Sequence, residues 1–216
     1  MENLAHECTY NSLINSLAMD CEPRLERLLF KICYHAAPTI EGIKPANLVM
    51  FRDGCAGCFK SDWYEFQEEI ERILPIKVRA LGPTDKGINI LFYNEDVLER
   101  LLGAKAIGDQ LKAIGYRNTD SLDSILDQLS ERFSDGCPNE IGIILGYPLY
   151  DVISFMANDK PCLMTGYWRV YSNAKRAKQL FERFDSSKSR FEQALRNGIS
   201  PSQYLQMNRE RAVLVQ

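Results

Sequence analysis

Residues 139–171, NEIGIILGYPLYDVISFMANDKPCLMTGYWRVY, carry two Gly-Tyr pairs, Gly146-Tyr147 and Gly166-Tyr167. How this run divides between helix and strand sets the architecture of the elements around it. Glycine lets a backbone turn sharply or approach another group closely, and Pro148 fits the first turn of a helix, where its missing N–H costs nothing. Val152, Phe155 and Met156 then recur at helical spacing until Asn158-Asp159 and Pro161 stop the helix. From Cys162 to Tyr171 bulky residues alternate, the spacing of a strand with side chains on both faces. The short apolar run Ile141–Leu145 fits a strand or the first turns of a helix equally well, because periodicity does not separate the two over five residues.

Working upstream, Glu22-Pro23 opens a helix whose apolar stripe is Leu25, Leu28, Leu29, Ile32 and Cys33, and Ala37-Pro38-Thr39 is expected to end it. Asn47 to Arg52 reads as a short buried strand. Ser61 or Asp62 is expected to cap the next helix. Ile76–Leu81 and Ile88–Tyr93 read as a hairpin joined by turn formers. Asn94 caps one following helix and Asp120 or Ser121 another. Downstream, Asn173 caps a long helix with Ala177, Phe181 and Phe184 inward. The central part thus follows a ferredoxin-like βαββαβ order. The expected fold is α+β, with a four-stranded antiparallel or mixed sheet and additional helices. In it Asn47–Arg52 lies in the same sheet as Leu163–Tyr171. Residues 1–22 read as a loosely ordered lead segment and 23–216 as a single α+β domain.

Of 216 residues, 45% are hydrophobic and 25% charged, an ordinary globular balance. A net charge of -3 argues against a dedicated nucleic-acid partner. No run approaches the roughly 18 apolar residues of a membrane span, and the N-terminus has no basic start or apolar segment of a secretion signal. A cytoplasmic location is expected. The seven cysteines are scattered rather than framing loops, which favours reduced thiols.

Cys55-Ala-Gly-Cys58 is the one spacing that fits a redox dithiol or half a metal site, and a full site would have to recruit Cys137, Cys162 or His35. With two histidines in the chain, no Ser-His-Asp or HExxH arrangement assembles, and there is no Walker loop or GxGxxG. Glu140 and Asp151 flank the Gly-Tyr-Pro turn. Two such carboxylates either do acid–base work or satisfy backbone N–H groups at helix starts. The last long helix and its lead-in carry Arg169, Lys175, Arg176, Lys178, Arg183, Lys188, Arg190 and Arg196, a basic face for an anionic ligand or an acidic partner.

At PTIEGIKPANL (38–48), NEIGIILGYPLYDVISF (139–155) and CLMTGYWRVYSNAKRAKQLF (162–181), the chain resembles an uncharacterised bacterial family, catalogued as a domain of unknown function and common in anaerobes. The resemblance spans most of residues 30–195. It implies no established activity, and it marks Lys44, Glu140, Gly146, Tyr147, Asp151, Cys162, Gly166, Trp168 and Tyr171 among the motif positions. Cys55 and Cys58 fall outside those motifs. The functional expectation is a pocket for a small anionic ligand or cofactor, built from Lys44, Glu140, Gly146, Tyr147, Asp151, Gly166, Trp168 and Lys175. Its alternatives are a thiol-redox or metal-dependent enzyme using Cys55 and Cys58, and a protein-interaction module acting through the basic helix.

Overall fold

A computed structural model describes residues 12–14, 16, 17, 19, 22–54, 57–84 and 87–213. Helix α1 (Arg24–Ile40) leads into strand β1 (Ala46–Phe51), the two-residue strands β2 (Asp53–Gly54) and β3 (Gly57–Cys58), and helix α2 (Phe59–Ile73). Strands β4 (Lys77–Thr84) and β5 (Gly87–Tyr93) follow, then α3 (Glu95–Leu102), α4 (Lys105–Ala113) and α5 (Leu122–Arg132). After a single 3₁₀ turn at Phe133–Asp135 come α6 (Ile141–Ile144) and α7 (Leu149–Ala157). The strands β6 (Met164–Thr165) and β7 (Arg169–Val170) precede α8 (Ala174–Arg196) and α9 (Pro201–Val213).

The main sheet is antiparallel with the order β1-β5-β4. All seven residues of β5 are buried, so this central strand is apolar on both faces except at Asn89 instead of alternating with polar residues. Its side chains divide by parity between two cores. Ile88, Ile90 and Phe92 join Val49 and Phe51 of β1 against α1, α2, Phe191 of α8 and Leu205 of α9. Leu91 and Tyr93 point the other way, with Leu81 of β4, into a second core completed by α3, α4, α5 and α6. Residue pairing shifts at Leu81, since Ala80 faces Ile90 while Gly82 faces Asn89.

The β4–β5 hairpin is the one expected from sequence, and Asn94, Ser121 and Asn173 each accept a backbone N–H as helix caps. Three expectations are corrected and one open reading is resolved. First, the sheet has three strands: Met164–Val170 does not join β1 but folds on itself as the β6–β7 ribbon. Gly166 interrupts what reads as one strand, and its N–H donates to the Trp168 carbonyl across a tight reversal. Second, the reading left open at Ile141–Leu145 resolves to a single helical turn, Ile141–Ile144, and not to a further strand. Third, α1 passes through Pro38 and ends at Ile40, and beyond its end the Pro38 carbonyl accepts from the N–H groups of both Ile43 and Lys44. Fourth, α2 begins at Phe59 and is capped by Asp53 of the preceding ribbon, which accepts from the N–H groups of Lys60 and Ser61 at 2.9 and 3.0 Å. Asp62 instead pairs with Arg24 at 2.5 Å. The lead segment 1–22 lies mostly outside the described residues, and its described Leu13 and Met19 are buried in the first core.

A third, smaller core closes the C-terminal side. Trp168 and Val170 of the ribbon pack there on Ala177, Phe181 and Phe184 of α8, with Ile43, Tyr147 and Tyr167 at its border.

Candidate functional site

The Gly-Tyr-Pro turn is a helix C-terminus. Gly146 takes a positive φ of 77°; its N–H donates to the Ile143 carbonyl and that of Tyr147 to the Gly142 carbonyl. This is the Schellman pairing, in which glycine at the left-handed position satisfies the last carbonyls of a helix. A Cβ at Gly146 would stand 2.5 Å from the Pro45 ring, so the bare glycine lets the 41–45 turn press against α6. That contact places Tyr147 beside Lys44, which is only 4% exposed. The Lys44 ammonium lies 5.4 Å from the centre of the Tyr147 ring and 5.8 Å from that of Phe184.

Tyr147 in turn stacks on Trp168, with centroids 5.0 Å apart and planes inclined by 25°. Phe181 meets the other side of Trp168 edge-on at 4.6 Å. The indole is held by Asp151, a residue 1% exposed. Trp168 Nε1 donates to Asp151 Oδ2 at 2.8 Å, while Oδ1 accepts from the N–H groups of Tyr171 and Ser172 and from Ser172 Oγ at 3.0, 2.9 and 3.1 Å. Four donors on one buried carboxylate fasten the ribbon to α7, and charge-assisted bonds of this kind are among the stronger ones a protein makes. Gly166 serves the same packing, since a Cβ there would be 2.1 Å from the Phe181 ring.

A second buried lysine enters the aromatic cluster from α8. Lys188 is 8% exposed, and its ammonium lies 5.0 Å from the Tyr34 ring centre and 5.1 Å from that of Tyr167. Tyr167 also packs edge-on against Phe184 at 5.1 Å, and its hydroxyl donates to Asp185 at 2.6 Å. Burial, and then this hydrogen bond, push the Tyr167 hydroxyl pKa upward. Burial first, with Glu192 and Asp185 adding to it, raises that of Tyr34 to about 12. Both phenols are therefore neutral at physiological pH. The floor of this region is fixed by Glu41, which receives Arg190, Ser187 and Tyr204 and so ties the end of α1 to α8 and α9.

Of the residues picked out from sequence, Lys44, Gly146, Tyr147, Asp151, Gly166 and Trp168 meet at this seam. Glu140 has a different role. It is buried against Arg132 at 2.9 Å, whose other nitrogen donates to the Ile114 carbonyl and whose guanidinium lies over Tyr116. It shares no partner with Asp151. Lys175 is exposed, on the side of α8 away from Ala177, Phe181 and Phe184, as a two-residue offset on a helix dictates. Cys55 lies outside the described residues. Cys58 is exposed, directly before α2, and among the described residues no three His, Cys, Asp or Glu side chains group closely enough to hold a metal ion. On the basic helix, Lys188 turns inward and Arg190 pairs with Glu41, whereas Arg176 and Arg183 line an open groove of about 580 Å³ beside Leu180.

The sequence reading did not select Tyr34, counted Lys188 only on the basic face of the last helix, and took Tyr167 only as part of the aromatic strand. Lys188 carried a visible signal: it continues the Ala177, Phe181, Phe184, Phe191 stripe, where a surface lysine has no place.

A family model described as "Protein of unknown function (DUF3793)" matches residues 32–205. No curated protein and no solved structure matches the chain. Among the described residues, no helix is long and apolar enough to cross a membrane.

Proposed function

The chain belongs to this family of proteins of unknown function, and on that premise we propose that it binds a small anionic ligand at the seam where Lys44 and Lys188 enter the aromatic cluster. The observation that carries the proposal is the pair of lysines itself. Removing an ammonium from water is costly, and a cluster that needed only cohesion is served better by leucine or methionine. Here two lysines from segments distant in sequence are 4% and 8% exposed, each with its charge over two aromatic rings. Ring faces steady a cation through their negative faces. In this reading Tyr147 and Tyr167, both half-buried, form the walls. Trp168 is a wall and not a donor, because its N–H is already given to Asp151. Asp151 and Gly166 are positioning residues, and Glu140 and Lys175 stand apart from the ligand.

The test is a thermal-shift and tryptophan-fluorescence titration with inorganic phosphate, sulfate, AMP and FMN. At least one anion is expected to raise the wild-type midpoint and perturb the fluorescence. Lys44→Met and Lys188→Met keep an unbranched side chain without the charge and should abolish that response, with far-UV circular dichroism unchanged. No response of the wild type to any of the four at millimolar concentration overturns the proposal, as does an undiminished response in both variants.

A further inference from the structure

Strand β1 is an edge of the main sheet: β5 pairs with it on one side, and among the described residues no strand pairs with it on the other. Among those residues, β5 alone gives backbone hydrogen bonds to Ala46–Phe51. In an antiparallel ladder every second residue turns its N–H and C=O away from the partner strand. Half of β1 therefore offers backbone groups that the described fold does not pair. Such groups are rarely buried away from water, and Asn47, Leu48 and Met50 are only half-buried, so solvent reaches this edge. The Asn47 amide does not cover it, because its nitrogen donates to the His35 carbonyl at 2.7 Å and its oxygen accepts from Thr39 Oγ1 at 3.2 Å. The opposite edge is built differently. Strand β4 carries Lys77, Arg79 and Pro83 and a register shift between Ala80 and Gly82. Arg79 is held by Asp123 and Asp127 of α5 at 3.4 and 3.1 Å. Charge, proline and bulges are the devices that keep an open strand edge from pairing with another chain. Strand β1 has none of them: ANLVMF lacks charge, proline and glycine and runs in unbroken register with β5.

We propose that β1 pairs antiparallel with β1 of a second copy of this chain, so that a two-fold axis joins the two main sheets into one. The two rows of outward backbone groups are then the same row, and each N–H of one copy finds a C=O of the other, as an isologous contact requires. An uncharged strand sets no like charges opposite each other, which would be destabilising. Its two faces match as well. Val49 and Phe51 pack in the first core, Ala46 and Leu48 in the second, so the pairing carries an apolar face across the junction on both sides of the sheet. A strand of another protein would use the same backbone hydrogen bonds, and purified protein separates the two cases. The proposal does not rest on ligand binding at the lysine seam.

Sedimentation velocity and amide hydrogen exchange of the purified full chain, each over a hundredfold range of micromolar concentration, test the pairing. A monomer–dimer equilibrium is expected. The amides of β1 that face away from β5 should gain at least tenfold protection as the dimer fills, while those of β4 stay unchanged. Met50→Lys places a cation on the edge and should weaken the dimer at least tenfold with far-UV circular dichroism unchanged; Ala80→Lys, on exposed β4, should leave it intact. A monomer at every concentration overturns the proposal, and so does a dimer whose β1 amides exchange independently of concentration. A folded Met50→Lys protein that dimerises as tightly as the wild type also overturns it. Should Met50→Lys not fold, the concentration dependence of β1 exchange in the wild type decides alone.

Discussion

Lys188 stands where the α8 stripe calls for a leucine, and its neighbour Tyr34 carries a measurable effect of burial. Tyr34 is 1% exposed, and its hydroxyl pKa is raised to about 12, chiefly by burial. The unfolded phenol ionises near 10, so between pH 10 and 12 the unfolded chain has lost the proton that the native state still holds. Stability is therefore complete below pH 10 and falls as pH climbs through that window, by about 2–3 kcal/mol from this group. Tyr34→Phe should flatten the decline in urea midpoints measured from pH 9.5 to 12; an unchanged slope would show that Tyr34 is not the titrating group. The residue scale also shows how far sequence reaches into the site. Asp151 was open to two readings, acid–base work or satisfying backbone N–H groups. It does accept backbone N–H groups, but those of Tyr171 and Ser172, not those of its own helix. A bond that spans 20 residues has no local signature. Lys44 was selected for its charge, whereas its burial depends on Pro45 lying against a glycine about a hundred residues downstream.

Elements were legible where local chemistry dominates their conformation. The β4–β5 hairpin forms where it was read, although its arms run on through Gly82–Thr84 and Gly87, which had read as the turn. The caps at Asn94, Ser121 and Asn173 do so as well, because a cap needs only its own next few N–H groups. The ribbon was misread because alternation continues across Gly166, and alternation alone does not show whether a strand goes on or reverses. Tertiary packing decides it: Gly166 lies on the Phe181 ring, where no side chain fits. Gly166→Ala should accordingly destabilise by about 1–3 kcal/mol through overpacking. Phe181→Leu should relieve part of that clash, so the double variant should lose less than the two single changes together. Urea unfolding of the four proteins reads the coupling directly, and simple additivity would mean that the two residues do not oppose each other. The same dependence on neighbours explains α6. Its four residues could pair or coil with equal ease, and the Schellman turn at Gly146 selects the helix.

The molecule as a whole is three cores joined unequally. Strand β5 contributes side chains to both of the larger ones, so neither can open without exposing the other. The third core is attached through α8, whose Phe181 and Phe184 belong to it while Phe191 belongs to the first core, and through Tyr147, shared with the second. Ile43, Lys44 and Asp151 tie it further, and among the described residues no continuous sheet links the ribbon to β1. Stability in proteins is distributed over such units, and one held by few elements opens below the global free energy. Native-state hydrogen exchange should therefore find the amides of Ile90 and Leu91 among the slowest and those of residues 163–172 faster. Asp151→Asn sharpens the test. It removes the charge that collects the indole, two backbone N–H groups and a hydroxyl, and each buried donor left without a partner costs about 1–3 kcal/mol. If the ribbon is its own cooperative unit, its protection should drop at least tenfold further than that of β5 in this variant. An equal drop in both would mean that the three cores unfold as one, and that Asp151 stabilises the whole fold instead of holding the site's wall in place.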